Sequence, residues 1–418
     1  MNKHVPFCAS AALAIVLAAP QGVFAQTLAT GDSRTVNQPV LPAVCTTLNA
    51  QFTSSQRSSP PSSDDTSRIQ SALSTCAGSG KSVVLAASGS NNAFYTGKIT
   101  VNGEGLVINS GVTLFGSNSY SSQAELILIN GSNASLMGPG TVDGRGDIIS
   151  GTPRLVQASN ITNLIVFNVT LTQARHPNLY VEGGNGFTAW GVTIRTPANR
   201  ANADGIDIDS MTNATVINSS INAGDDGIAV KTNSGPASNM TIKNSRFFGT
   251  HGISVGSQTF HGVTNILFTG NYIYGVDLNG IAASDANAIR VKSDVTCGGL
   301  VKQVTYTNTC ITKAKHLIVL DTEYGSCSGT AGTPVFQNIV INGVLSTSSV
   351  SGAYTRIRGL NASDAINTYL AHISLDSTTQ SSDQFAGVLL NASNITPTGT
   401  GVTTSSFSIS GSVPSCAF

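Results

Sequence analysis

One short pattern recurs seven times in the middle of the chain. It is an Asn or Gly, a run of alternating apolar and polar residues, a second Asn or Gly five residues after the first, and usually an apolar residue three further on. The seven copies begin at Asn163, Gly186, Asn213, Asn239, Asn265, Gln303 (where Gln takes the first place) and Asn338. They are spaced 23 to 38 residues apart. A repeat of about 20–50 residues is typical of a solenoid, in which each copy forms one turn.

The segments between the corner residues are short and strand-like, and no long helical pattern interrupts them. Charged residues make up 10% of the chain and aromatic residues 6%, and there are 43 glycines. This composition suits an all-β protein. We therefore predict a parallel β-helix, in which inward Val, Ile and Leu stack along the axis and Asn stacks at the corners. A β-sandwich is the alternative, but it predicts hairpin turns about every 8–12 residues rather than one long template.

The start of the chain has the features of a secretory signal. Lys3 precedes the apolar run "AALAIVLAA", and "VFA" fits cleavage after Ala25. We predict a signal peptide over 1–25, a loose segment rich in Ser, Thr, Pro and Gln over 26–63, and the β-helix over 64–418. A short helix in "DDTSRIQSALSTC" is predicted to cap the β-helix, with one apolar face formed by Ile69, Ala72, Leu73 and Cys76.

The cysteine count agrees with export. Cys8 leaves with the signal, and six remain: Cys45, Cys76, Cys297, Cys310, Cys327 and Cys416. An even number in an exported chain favours disulfides, and we predict the pair Cys45–Cys76 because both lie at the N-terminal edge. Equal numbers of Lys+Arg and Asp+Glu, 21 each, argue against nucleic-acid binding, and no stretch is long enough to span a membrane.

A second repeat of polar residues lies inside the first. Four copies, each followed by an alternating strand, begin at Asp204-Gly205, Asp226-Gly227, His251-Gly252 and Asn287-Ala288. Equivalent positions on neighbouring solenoid turns lie about 4.8 Å apart. We therefore expect Asp204, Asp226 and His251 to line one edge, with Asp225 beside them. The glycines are expected to permit a backbone bend, so that Asp225 and Asp226 face one cleft.

The strand positions add cations to this surface. Ile289 and Val291 are predicted to point inward, so Arg290 and Lys292 point outward together. Lys231 and either Asp207 or Asp209 occupy the same outer sheet. Taken singly, an Asp-Gly pair is usually a turn, a histidine a structural polar residue, and an Arg-Val-Lys run a solvated edge. Because all of them occupy equivalent positions on four successive turns, we predict that they form a shared site. A Ca²⁺ site formed by the three aspartates is the alternative, which the nearby cations disfavour.

These residues resemble the polygalacturonases of glycoside hydrolase family 28. The family pattern appears here as Asn202-Ala203-Asp204, Gly224-Asp225-Asp226, Thr250-His251-Gly252 and Arg290-Val291-Lys292. The likeness runs from the capping helix to "DTEYG", and the four motifs are specific together. Ala203, Thr250 and Val291 depart from the family's Thr, Gly and Ile. We expect the first two to affect efficiency or subsite preference, and Val291 to be neutral.

The resemblance implies a right-handed, single-stranded parallel β-helix that hydrolyses α-1,4 linkages of polygalacturonate with inversion. By position, Asp225 is the general acid, Asp204 and Asp226 activate water, and His251 supports the proton on the acid. The substrate is bound by Asn202, Arg290, Lys292 and Tyr324. Inversion predicts carboxyl groups roughly 6.5–9.5 Å apart. A polyanionic substrate also predicts that the cations stand away from the acid/base group.

The sequence therefore predicts a secreted, monomeric, pectin-degrading enzyme that needs no metal or cofactor, with an acidic polysaccharide as its partner. We expect endo action, with exo-polygalacturonase or rhamnogalacturonan hydrolase as alternatives. A pectate lyase is a second enzyme class, and it would eliminate with the help of Ca²⁺. A pectin-binding β-helix without catalysis is the third hypothesis, but it has no need of the aspartate cluster.

Overall fold

The computed structural model describes residues 26–151, 153–325 and 332–418. Helix α1 is Thr66–Cys76, and two short 3₁₀ turns are Ser54–Ser58 and Asn118–Ser122. The 29 strands of these residues are β1 Val44–Asn49, β2 Ser82–Ala86, β3 Ala93–Thr96, β4 Ile99–Asn102, β5 Gly105–Ile108, β6 Thr113–Gly116, β7 Glu125–Asn130, β8 Ser135–Met137, β9 Thr141–Asp143, β10 Arg154–Phe167, β11 Thr170–Thr172, β12 Leu179–Trp190, β13 Thr193–Arg195, β14 Ile206–Ile217, β15 Ser220–Asn222, β16 Ile228–Lys231, β17 Ala237–Lys243, β18 Arg246–Phe248, β19 Ile253–Val255, β20 Val263–Thr269, β21 Tyr272–Tyr274, β22 Asn287–Asp294, β23 Leu300–Thr312, β24 His316–Gly325, β25 Val335–Thr347, β26 Tyr354–Arg358, β27 Ile366–Ser374, β28 Gln384–Ser393 and β29 Thr400–Ser406.

The strands pair in parallel and form three long stacks around one axis. One stack joins β4, β7, the first halves of β10, β12 and β14, and then β16, β19, β22, β24 and β26. We call it the cleft sheet. A second stack begins at β1 and ends at β29, and a third runs from β3 through β21 into β23. The predicted right-handed parallel β-helix is confirmed.

The recurring sequence pattern marks two corners of each turn. Both of its Asn or Gly positions have positive φ, for example 56° at Asn163 and 54° at Asn168, or 58° at Asn213 and 52° at Asn218. Only Gly and, among residues with a side chain, chiefly Asn enter this left-handed region at small cost. The five-residue spacing is therefore the length of strand between two such corners. The asparagines also stack, since Asn265 Nδ2 donates to Asn239 Oδ1 at 2.8 Å.

The interior is one continuous apolar core whose layers follow the strand register. Phe187, Ala214, Met240 and Ile266 are consecutive members of one inward row, and all are fully buried. At the N-terminal end, α1 buries the predicted residues Ile69, Leu73 and Cys76 against this core. The predicted disulfide Cys45–Cys76 is present and ties β1 to the helix.

The segment 26–63 is not loose where the structure describes its contacts. Residues 27–34 form a strap that crosses six turns and hydrogen-bonds side chains of the second stack, at Asn338, Thr305, Asn265, Thr241, Asn213 and Thr188. Residues 44–49 form β1, which pairs with β2. The strap is ordered because the corner asparagines present unpaired polar groups that its backbone satisfies.

The signal peptide predicted over 1–25, with cleavage after Ala25, falls outside the described residues, and so does Cys327. Cys310–Cys416 is a further disulfide, and Cys297 is also disulfide-bonded. In the part of the chain that the structure describes, no helix has the length and apolar character needed to cross a membrane.

Candidate active site

The four polar repeats meet at one edge of the cleft sheet, as predicted. Ile206, Ile228, Ile253 and Ile289 are register partners on successive turns. Asp204, Asp226, His251 and Asn287 each stand two residues before one of these isoleucines, so they form one row. Asp225 and Asp226 lie in a bend between β15 and β16 rather than on a regular strand. Both side chains line the same cavity, as the hypothesis requires.

The glycines of this bend were expected to permit an unusual backbone conformation, but they have a different role. Neither Gly224 nor Gly227 has a left-handed φ. A Cβ on Gly224 would lie 1.9 Å from the carbonyl oxygen of Arg200, and one on Gly227 would lie 2.7 Å from the ring of Phe247. Glycine is therefore required because adjacent turns approach each other too closely for a side chain, and not because the backbone needs an unusual conformation.

The three aspartates form a compact cluster. Asp204, Asp225 and Asp226 each offer a carboxylate oxygen within 4.8 Å of the others. The side chain of Asp225 is 24% exposed, against 10% for Asp204 and 4% for Asp226. Asp225 is thus the carboxylate that a ligand reaches most easily.

His251 is the direct partner of Asp225. Its Nδ1 lies 3.0 Å from Asp225 Oδ1, and its Nε2 lies 3.1 Å from the hydroxyl of Ser284. Burial lowers the pKa of His251, but the hydrogen bond and charge of Asp225 outweigh it and raise the pKa above the ordinary histidine value. Burial raises the pKa of Asp225, and His251 with Lys292 lowers it below the ordinary carboxyl value. In the absence of ligand the proton of this pair therefore resides on His251.

Asp204 is held beside a buried lysine. Lys231 Nζ lies 3.2 Å from Asp204 Oδ2 and 2.8 Å from Asp207 Oδ2. Burial, followed by repulsion from Asp207 and Asp225, raises the pKa of Asp204 well above its usual range. One of the three clustered carboxyls thus retains a proton at pH values at which an exposed aspartate is ionised.

Asp226 contacts a predicted substrate-binding cation directly. Lys292 Nζ lies 2.8 Å from its Oδ2, and the hydroxyl of Ser254 donates to its Oδ1 at 2.7 Å. The expectation that the cations stand away from the acid/base group was wrong. The side chain of Lys292 spans the distance between turns, because its charge in this buried position is stabilised by a carboxylate partner. Two of the three aspartates are therefore already paired with a lysine, which disfavours a bound metal cation.

Arg290 is more enclosed than expected for a substrate ligand. Its side chain is 5% exposed, and its guanidinium lies 3.1 Å from Asp285 and donates to the carbonyl oxygen of His251 at 3.2 Å. Both Arg290 and Lys292 lie against the ring of Tyr324, with their charged groups 4.9 and 4.8 Å from its centre. Tyr324 is 45% exposed and forms the outer face of this cluster.

A cavity of about 380 Å³ opens along the cleft sheet over these residues. Six of the eight predicted site residues line it: Asn202, Asp204, Asp225, Asp226, Lys292 and Tyr324. His251 and Arg290 lie behind this first layer. The cavity extends past the aspartates to side chains that the sequence analysis did not select, among them Arg154, His176 and Tyr180.

Several supporting residues were missed. Ser254 stands at an outward position of the repeated strand, so the register could have identified it. Ser284 and Asp285 lie in the loop before β22, which carries no repeat, and no sequence signal marks them. Tyr306 is buried inside the solenoid, where its hydroxyl lies 3.1 Å from the carbonyl oxygens of both Ile253 and Arg290 and shares its one proton between them. It links the two strands that carry the site.

The comparisons with known proteins agree with this geometry. Residues 76–394 match the family described as glycosyl hydrolases family 28. The chain is 32% identical to an endo-polygalacturonase of Pectobacterium carotovorum subsp. carotovorum, with 85% of this chain and 92% of that protein covered. It is 29% identical to a polygalacturonase of Ralstonia solanacearum, with 82% of this chain and 78% of that protein covered.

A solved structure gives the same result. The polygalacturonase from Erwinia carotovora ssp. carotovora superimposes with a TM-score of 0.75 at 31% sequence identity, covering 85% of this chain and 99% of that one. The resemblance found in the four motifs is therefore confirmed. On the strength of its sequence, its fold and the residues of its cleft, the chain belongs to glycosyl hydrolases family 28.

Proposed function

We propose that this protein is a secreted polygalacturonase that hydrolyses α-1,4-galacturonosyl linkages of polygalacturonate, cutting within the chain. The observation that carries the proposal is the cluster of Asp204, Asp225 and Asp226 on the floor of an open cleft, flanked by Lys231 and Lys292. Carboxylates supply the acid and base of glycoside hydrolysis, and the lysines match an anionic sugar. Likeness to an endo-polygalacturonase over 85% of the chain supports the substrate and the endo action.

The general acid in this proposal is Asp225. It is the most exposed of the three carboxylates, and it receives its proton from His251 across the 3.0 Å hydrogen bond. Asp225 donates that proton to the glycosidic oxygen as the bond between this oxygen and the anomeric carbon breaks. The leaving sugar departs as a neutral alcohol, so no alkoxide forms.

The base in this proposal is the pair Asp204 and Asp226. A water oxygen attacks the anomeric carbon, and its proton passes to Asp226. Asp204, which retains a proton when the cleft is empty, positions the water by hydrogen bonding. One proton thus leaves the acid and one enters the base. After product release Asp226 gives its proton to solvent, and His251, which passed its own proton to Asp225, takes up another from solvent for the next turnover.

Substrate recognition is assigned to the end of the cleft that carries Tyr324. Lys292 lines the cavity and offers N–H groups that Asp226 does not use, so it is the first contact for a sugar carboxylate. Arg290 is the second proposed carboxylate ligand and also orients Tyr324. Asn202 is exposed at the cavity wall and is proposed to contact sugar hydroxyls.

Product analysis in the presence of chelator tests the reaction class. We expect wild-type protein to release saturated oligogalacturonates from polygalacturonate in EDTA, and Asp225→Asn to release almost none. Asp64→Asn, at the capping helix and outside the cavity, is the matched control. An unsaturated, ultraviolet-absorbing product that requires Ca²⁺ would establish a lyase, and binding without cleavage by the wild type would establish a non-catalytic binder.

Three finer points need their own assays. We propose inversion at the anomeric carbon, as the family resemblance implies, and proton NMR of the first product anomer tests it; a first product with retained configuration would contradict it. A fast fall in viscosity at low bond cleavage is expected for endo action, and slow loss with release of mono- or disaccharides contradicts it. N-terminal sequencing of protein exported by an expressing bacterium tests cleavage after Ala25.

The two roles within the cluster can be separated chemically. A galacturonide with an acidic phenol as leaving group needs little protonation, so it should restore much of the activity of Asp225→Asn. Azide can replace the activated water, so it should restore bond cleavage in Asp226→Asn and give a galacturonosyl azide. If azide rescued Asp225→Asn and the activated leaving group rescued Asp226→Asn, Asp226 would be the acid and Asp225 the base.

A further inference from the structure

The cavity has a second cationic end that the proposed mechanism does not use. Arg154, His176 and Tyr180 line it on the side of the aspartates opposite to Lys292 and Tyr324. Val156, Leu179 and Ile206 are register partners, and Arg154 and Asp204 each lie two residues before a member of this row. Arg154 therefore stands two turns from Asp204, which is about 9–10 Å along the cleft.

Arg154 lacks a carboxylate partner among the described residues. Glu125, its register partner on the preceding turn, is paired with Lys98 at 2.6 Å. Asp207, on the following turns, is paired with Lys231. The other lysine or arginine side chains of the cavity wall, Lys231 and Lys292, each have an aspartate within 2.8 Å. Arg154 is thus the lining cation whose charge the protein leaves uncompensated.

The guanidinium of Arg154 is nevertheless held in place. Its carbon lies 4.1 Å from the centre of the Tyr180 ring, and its Nη1 donates to Gln157 Oε1 at 2.8 Å. The Tyr180 hydroxyl in turn donates to the buried Asp209 at 2.8 Å. A planar group fixed on a ring face and by one edge presents its remaining N–H groups in a defined direction. That arrangement is suited to a carboxylate, which accepts two parallel N–H bonds.

His176 completes this end of the cavity. Burial, together with the positive charges of Arg154 and Arg175, lowers the pKa of His176. The imidazole is therefore neutral near pH 7 and offers one donor and one acceptor, which suits sugar hydroxyls rather than a second anion.

We propose that Arg154, with His176 and Tyr180, forms a distal subsite that binds the carboxylate of a galacturonate unit on the opposite side of the cleavage point from Lys292. This inference rests on the proposed function and identifies an additional specificity-determining residue for it. Because the subsite is two turns from Asp204, it contacts a unit beyond the one whose bond is cleaved. It therefore sets the minimum length of a good substrate and the bond that is cut first.

The test compares Arg154→Met with Arg154→Lys on oligogalacturonates of increasing length. Met keeps the bulk on Tyr180 without charge, and Lys keeps the charge without the planar fork. For Arg154→Met we expect kcat/KM on long oligomers to fall about 10- to 100-fold, mainly through KM, as for a lost charged hydrogen bond. The shortest oligomer that the wild type cleaves should be unaffected. Arg154→Lys should recover part of the loss.

The matched control is Arg246→Met. Arg246 also rests on a tyrosine ring, 4.9 Å from the centre of Tyr272, but it lies in another stack and does not line the cavity. The initial cleavage frequencies of end-labelled oligomers are recorded for each protein. The subsite would be overturned if Arg154→Met had the cleavage frequencies and the kcat/KM of the wild type at every oligomer length. It would also be overturned if kcat/KM fell by the same factor on short and long oligomers. Failure of the proposed function is distinct, since the wild type itself would then leave every oligomer uncleaved.

Discussion

His251 contributes both a hydrogen bond and a transferable proton to the proposed general acid, Asp225, and replacing it by asparagine separates these two contributions. An asparagine Nδ2 occupies nearly the position of the histidine Nδ1, so it preserves the hydrogen bond to Asp225 but carries no transferable proton. His251→Ala removes both. In the wild type the proton of the pair resides on His251, whose pKa is raised, so activity should fall as pH rises through a value above the ordinary 6.5 or so.

The expected magnitudes follow from these two contributions. A positioned acid contributes about 10²–10⁴-fold to a rate. We expect His251→Asn to lose about 10²-fold in kcat at neutral pH, or about 2.7 kcal/mol. His251→Ala should lose at least about 10-fold more, because a hydrogen bond to a charged group contributes about 1.5–3 kcal/mol. In His251→Asn the proton must come from the Asp225 carboxyl alone. The alkaline limb of the pH profile of kcat should therefore move to lower pH, and the loss of kcat relative to the wild type should be smaller at acidic pH.

The assay is the pH profile of kcat on polygalacturonate for the wild type and both variants. His372→Asn is the control, because His372 hydrogen-bonds Asn342 at a corner of the solenoid where φ is 50°, which asparagine tolerates. An alkaline limb in His251→Asn that coincides with that of the wild type would refute the proton relay, since another group would then be titrating.

Three further predictions concern stability. Because the pKa of Asp204 is raised, the folded state binds its proton more tightly than the unfolded state does. The unfolding free energy therefore falls by about 1.4 kcal/mol per pH unit as pH rises from the unfolded-state to the folded-state pKa. Asp204→Asn should raise the thermal midpoint at pH 7 but not near pH 3, and an equal gain at both pH values would contradict this. Asp32→Ala removes the buried carboxylate that holds the strap, and should lower the unfolding free energy by about 2–3 kcal/mol in urea titrations while the activity of folded protein persists. Cys416→Ala opens the loop closed by Cys310–Cys416, whose separation of 106 residues corresponds to about 4–5 kcal/mol of loop-closure free energy. Calorimetry without reducing agent should give a lower thermal midpoint for this variant than for the wild type.

The fold could be predicted because its signal is local and repeated. The corner asparagines and glycines satisfy a backbone requirement that few residues meet, and seven copies make the pattern unmistakable. The strap over 27–34 could not be predicted in this way, since it has no periodicity of its own. Its order comes from hydrogen bonds to side chains up to 311 positions away, such as Thr27 to Asn338. Local composition, rich in Ser and Thr, indicated only a loose segment.

The sequence predicted where the site residues stand on successive turns, but not the contacts between their side chains. Register alone places Asp204, Asp226 and His251 in one row, because equivalent positions of successive turns are stacked. Register does not say which partner a long side chain chooses. The contact of Lys292 with Asp226 depends on side-chain conformation and on burial, and the enclosure of Arg290 depends on Asp285 in a loop without a repeat. These features arise only when the chain is folded.

The spacing between turns of the fold permits the pairing of Lys292 with Asp226, although it does not dictate it. Turns of a parallel β-helix are about 4.8 Å apart, so outward residues two turns apart lie within reach of one extended lysine. A cleft built on such a sheet therefore brings some of its cations within reach of carboxylates on neighbouring turns. Lys292 uses one N–H group on Asp226 and has others for a sugar carboxylate, so one side chain can hold the substrate beside the base. Arg154 differs because its turn carries no free carboxylate, and its whole charge is available to the substrate.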